Sequence, residues 1–151
     1  MSELDALEDW AGPILRRLEP AGRVKLARSL AQQLRRSQQQ RVAAQRNPDG
    51  SAFAPRKPHK LREKAGRVKR KAKMFQKMRT AAYLKASGDG RAVTVGFTGR
   101  IARIARVHQY GLRDRVAPRG PMANYEKRQL LGLSNADLDL IRDGMLAHIS
   151  L

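Results

Sequence analysis

The 151-residue chain reads as an α+β protein: a small antiparallel β-sheet around a central hairpin, with long N-terminal helices and a C-terminal helix. Three observations predict this. Val93, Val95 and Phe97 alternate just after the turn-forming Gly88-Asp89-Gly90, the period of a half-buried strand. Val24, Ala27, Leu30, Ala31 and Leu34 recur at helical spacing. Near the other end, Leu138, Ile141, Met145 and Ile149 do the same behind Ser134. At this length the expectation is a single domain over 1–151, with 1–46 as a helical extension used in subunit contacts.

Taken in order, Ser2 is a suitable N-cap for a helix over Glu3–Leu18, whose face carries Leu4, Leu7, Trp10, Ile14 and Leu18. Gly12-Pro13 predicts a kink in it. Trp10 suits a core anchor or a subunit contact equally. Glu19-Pro20-Ala21-Gly22 predicts a break, followed by a helix over Arg23–Arg46. Beyond Leu34 that helix has little to bury. Gln38 occupies a stripe position, so this half should find a partner or project into solvent.

Asn47–Pro58 reads as a loop, with Phe53 as a core plug or an interface anchor. His59–Ala82 reads as a long helix with a seam of Leu61, Ala65, Val68, Ala72 and Phe75. The hairpin follows, its two glycines expected to supply positive φ at the turn. Arg100–His108 reads as a helix stopped by Gly111, with Ile101, Ile104 and Val107 on its apolar side. Leu112–Asn124 is a basic loop, and Tyr125–Leu133 suits a strand end or a short helix. Added strands are expected near Val116 and Leu130. Ser134, with Asp137 three residues on, opens the last helix.

Charge is the dominant compositional feature. The formal net charge is +19, unevenly placed: residues 1–19 carry −3, whereas residues 56–79 carry +11. Such a basic block suits a solvated face, a nucleic-acid backbone or an acidic protein surface. No cysteine is present, which excludes disulfides and cysteine-ligated metals. The acidic start does not read as a secretory signal, and no apolar run approaches the length of a membrane span; a cytoplasmic protein is expected. The three histidines have no metal-site spacing, and the mid-chain acids do not cluster as a two-metal nuclease requires. The expectation is a protein that is not an enzyme and takes no cofactor.

From Arg46-Asn47-Pro48-Asp49-Gly50 and Pro55-Arg56-Lys57-Pro58 onward, an ordered series of short motifs resembles a known family. It continues through Lys73-Met74-Phe75, the hairpin, Val107-His108-Gln109-Tyr110-Gly111, Ala117-Pro118-Arg119 and Leu130-Leu131-Gly132-Leu133-Ser134. Together these resemble the phage tail completion (gpS-like), or phage virion morphogenesis, family of contractile-tailed phages. The resemblance implies a structural virion protein that completes the head-proximal end of the tail and enables head–tail joining. It implies a homo-oligomeric ring, most simply a hexamer, assembled in the host cytoplasm. The partners would be tail tube or sheath proteins and head–neck proteins, with phage DNA in the lumen. No catalytic residues transfer.

For polyanion contact the candidates are Lys60, Arg62, Lys64, Arg67, Lys69, Arg70, Lys71, Lys73, Lys77, Arg100, Arg103 and Arg106. For the subunit or tail–neck interface they are Trp10, Leu34, Phe53, Tyr110, Arg113, Arg115 and Arg119. The rival readings are a basic protein that binds nucleic acid without sequence preference, and an adaptor for an acidic protein surface.

Overall fold

A computed structural model describes residues 3–57 and 73–150. Along the chain run α1 (Glu3–Arg17), α2 (Pro20–Ala43), the strands β1 (Leu84–Gly88) and β2 (Val93–Phe97), and α3 (Arg100–Tyr110). These are followed by β3 (Arg113–Arg115), β4 (Met122–Asn124) and α4 (Asn135–Ile149). The architecture is α+β, with two separate two-stranded antiparallel sheets.

The central hairpin pairs Leu84 with Phe97 through to Gly88 with Val93. Asp89 closes its turn, its carboxylate accepting from the backbone N–H of Arg91 and Ala92 at 2.7 and 2.8 Å. Neither Gly88 nor Gly90 supplies positive φ, contrary to expectation, and Gly88 has another role. It is needed for close approach: a Cβ there would lie 2.4 Å from the Ala27 carbonyl carbon of α2. The hairpin lies directly on α2, which also packs against α4.

Several helix boundaries differ from the sequence reading. The helix α2 begins at Pro20, because proline at the first helical position forfeits no intrahelical hydrogen bond. In α1, Pro13 sits inside a continuous helix. The carbonyl that loses its donor belongs to exposed Asp9, where water can replace the bond. The predicted N-cap Ser2 lies outside the described residues. So does 59–72 of the predicted basic helix; its described remainder, 73–82, forms turns rather than helix.

The core is small. Val42, Phe53, Met78, Ala105 and Leu130 form one buried cluster, with Met74, Phe75, Phe97 and Ile101 packed around it. Phe53 is therefore the core plug. Leu34 is equally covered by the chain's own residues, so neither can present an interface. Ile104 faces outward, because a three-residue spacing drifts off the buried side of α3, and Ala105 takes its place inside.

The second half of α2 is buried against the chain itself, which corrects the reading that it lacks an internal partner. Gln38 is 3% exposed and Asp137 1%. Asp137 completes a capping box with Ser134 and also accepts from Ser37 and Gln38 of α2. Gln38 in turn accepts from the Gly132 N–H at 3.2 Å and from Arg41. Because the capping box turns Asp137 inward, α4 faces α2 with Gly144, which a Cβ would drive into Leu30. The expected stripe is therefore rotated, and Leu138 and Met145 face solvent.

No strand forms near Leu130, and the β3–β4 ladder near Val116 stays separate from the central hairpin. Side chains take the place of a neighbouring strand along 128–132. Arg41 donates to the carbonyls of Gln129 and Leu130, both at 2.9 Å. The Asn47 side chain accepts from Gln129 N–H at 2.9 Å. Gln109 grips Leu131 from both sides, accepting its N–H at 2.9 Å and donating to its carbonyl at 2.8 Å. Burial pulls the Arg41 guanidinium down from its ordinary range, and the Asp137 charge opposes that shift.

Candidate interaction surfaces

The motif His108-Gln109-Tyr110-Gly111 spans the end of α3, and its four residues have four different tasks. His108 lies in a chain of edge-on rings, 4.8 Å from Phe75 and 5.1 Å from Tyr125. Arg128, only 4% exposed, sits 3.4 Å from its Nδ1 and donates to the carbonyls of Ala54 and Pro55 at 2.7 and 2.9 Å. Burial, then the Arg128 charge, lowers the His108 pKa to about 4. The imidazole is thus neutral near pH 7 and serves as packing and as an acceptor for Arg128. Gln109 holds Leu131, as described. Gly111 is left-handed, with φ 64° and ψ 53°, and closes the helix as Leu112 N–H reaches back to the Val107 carbonyl at 2.9 Å. Only Tyr110 is left facing outward, at 63% exposure.

Tyr110 borders an open groove lined by Phe97, Ala102, Ala105, Arg106, Gln109 and Leu131. Arg106 is exposed in its wall, and Arg100 and Arg103 are exposed elsewhere on α3. The second sheet brings more arginines to this region. Arg103 is paired with Asp114 of β3 at 2.7 Å, and Asp114 lies between exposed Arg113 and Arg115. Hydrogen bonds from the Arg115 N–H and from Arg103 hold that carboxyl below its usual range. Lys57 joins by donating to the Asn124 carbonyl at 2.6 Å, and Arg119 is exposed on the connection between β3 and β4.

The structure thus gathers Arg100, Arg103, Arg106, Tyr110, Arg113 and Arg115 around α3 and the second sheet. Lys73 and Lys77 are exposed on the turns before the central hairpin. Lys60, Arg62, Lys64, Arg67, Lys69, Arg70 and Lys71 lie outside the described residues. Trp10 is placed elsewhere, 60% exposed on α1.

Sequence reading missed the groove, because its floor combines α3 with β2 and Leu131, distant segments that no local period connects. It also missed buried Arg128, for which no signal distinguishes one arginine among many. Among the described residues, no group of three or more His, Asp or Glu side chains could hold a metal ion, and no helix is long and apolar enough to cross a membrane.

Comparison with known proteins agrees with the ordered motifs. Residues 2–150 match the phage virion morphogenesis family. The chain is 39% identical over 150 residues to "Tail completion protein S" of Escherichia phage P2, covering 99% of both chains. No solved structure matches. With the match running through every element from α1 to α4, the chain belongs to the phage virion morphogenesis family.

Proposed function

We propose that this protein is a structural component of a contractile-tailed phage that completes the head-proximal end of the tail and permits its joining to the filled head. The observation that carries this reading is the end-to-end identity with a protein named for tail completion. A relative sharing only the hairpin would support a common fold; one that aligns over 99% of both chains supports a common task.

The physical account is a ring of identical subunits matching the tail tube, most simply six, made in the host cytoplasm and carried in the virion. Its neighbours would be tail tube or sheath proteins on one side and head–neck proteins on the other. A ring in that place surrounds the DNA. Exposed Arg100 and Arg103 of α3, with Lys73, Lys77 and the basic 60–71 segment, would hold the phosphate backbone without reading sequence. Structural work of this kind requires no catalytic centre and no cofactor. The helical region 1–46 would contribute to subunit contacts, chiefly through α1.

Electron microscopy of particles from a phage lacking the gene tests the proposal. Full heads beside unjoined tails are expected. Normal joined particles would overturn it and favour a basic nucleic-acid binder, whose main interaction should disappear as salt rises.

A further inference from the structure

Two outward-facing apolar surfaces of the described structure have opposite charge. Residues 5–10 of α1 are all exposed, with Leu7 55% and Trp10 60% exposed. Residues 1–15 include four acids, Glu8 and Asp9 among them, and no base. The other end of α1 is fastened: the His148 ring donates to the Arg17 carbonyl at 2.9 Å, and Arg17 donates back to the His148 carbonyl at 3.4 Å. An acidic, apolar tip is thus carried on an anchored helix.

The groove beside Tyr110 has the complementary character. Phe97, Ala102, Ala105 and Leu131 give it an apolar floor, and Arg106 stands in its wall. A third apolar patch, Leu138 and Met145 on α4, does not complement an acidic arm, because Asp139 and Asp143 flank its single Arg142. Since α1 packs on α2 and α4 while α3 packs on β2, the arm and the groove belong to different parts of the molecule.

We propose that the α1 tip of one copy docks in the α3 groove of a second copy, seating Leu7 and Trp10 beside Tyr110 and bringing acidic Glu8 and Asp9 to the basic wall at Arg106. Buried aromatic side chains supply the anchoring, as Trp and Tyr do in the centres of interfaces. The charges select the partner and its orientation. Because the two surfaces differ, the contact is head-to-tail, and repeating it closes a ring when the rotation permits. The inference rests on the ring reading above and names the surfaces that would build the ring.

Two charge-swapped variants test it, E8R/D9R on the arm and R106E on the groove. Arg103 is left intact to preserve its link to Asp114. Sedimentation, with helical content checked by circular dichroism, should show each variant assembling at least tenfold more weakly than wild type. An equimolar mixture should recover assembly, because every swapped arm then finds a swapped groove and every native arm a native one. Where a swap unfolds the chain, the neutral versions E8Q/D9N and R106Q should also weaken assembly, without the rescue. Variants that assemble like wild type, or swapped variants whose mixture stays dissociated, would overturn the arm–groove contact while a wild-type oligomer kept the ring reading standing. A wild-type chain that stays monomeric at every concentration would overturn the ring and this contact together.

Discussion

The junction of α2, α4 and the 128–132 segment is the reverse of the α1 tip. At the junction, Gln38, Arg128 and Asp137 are buried and hydrogen-bonded, and a guanidinium and three amides bind backbone that has no strand beside it. At the tip, Leu7 and Trp10 are left in solvent. A chain with a core this small closes its interior with fixed polar geometry. Large apolar side chains are placed where a second surface can cover them. Buried polar networks cost free energy when one member is lost, whereas exposed apolar groups cost the isolated chain little when removed.

The largest effect should come from Asp137→Ala. It removes the N-cap partner of Ser134 and leaves the Ser37 hydroxyl and the buried Gln38 amide without their shared acceptor, and should lower unfolding free energy by about 3 kcal/mol in urea titration. A loss below 1 kcal/mol would mean the junction is not the closure described. Gly88→Ala comes next, at about 1–3 kcal/mol, since the new methyl group meets the α2 backbone rather than a movable side chain. A neutral result there would show that the hairpin does not rest directly on α2.

A third effect is a pH dependence at His108. Its folded pKa is below the ordinary value of 6.5, so its contribution to stability is complete above about pH 6.5 and declines as pH falls toward about 4. Unfolding midpoints measured between pH 7 and 4.5 should fall more steeply in wild type than in His108→Phe, which keeps a ring in the stack but binds no proton. Parallel profiles would remove His108 from the account.

Much of this was legible in local pattern. The central hairpin was, because its alternation and Asp89 turn lie within fifteen residues. So were the Gly111 stop and the Ser134–Asp137 cap, each a rule of backbone geometry that acts over a few positions. The partnership of Gln38 was not, because a polar residue on an apolar stripe looks the same in sequence whether it faces solvent or Asp137, ninety-nine positions away. The true face of α4 was hidden for a related reason: Leu138 and Met145 at helical spacing suggest burial, yet Gly144 lies against Leu30. Of the candidate surface residues, exposure of Trp10 and Tyr110 could not be read from their identity. Burial of Leu34 and Phe53 followed the ordinary behaviour of leucine and phenylalanine.

The central claim is that the interior is self-sufficient while the α1 tip and the α3 groove await a partner. Hydrogen exchange on the purified free chain and on the same chain within purified particles tests it most directly. The account predicts that residues 37–46 and 128–134 are equally protected in both, and that protection is gained at 5–10 and around 100–112 in particles. Unprotected amides at 128–134 in the free chain, becoming protected only in particles, would contradict it.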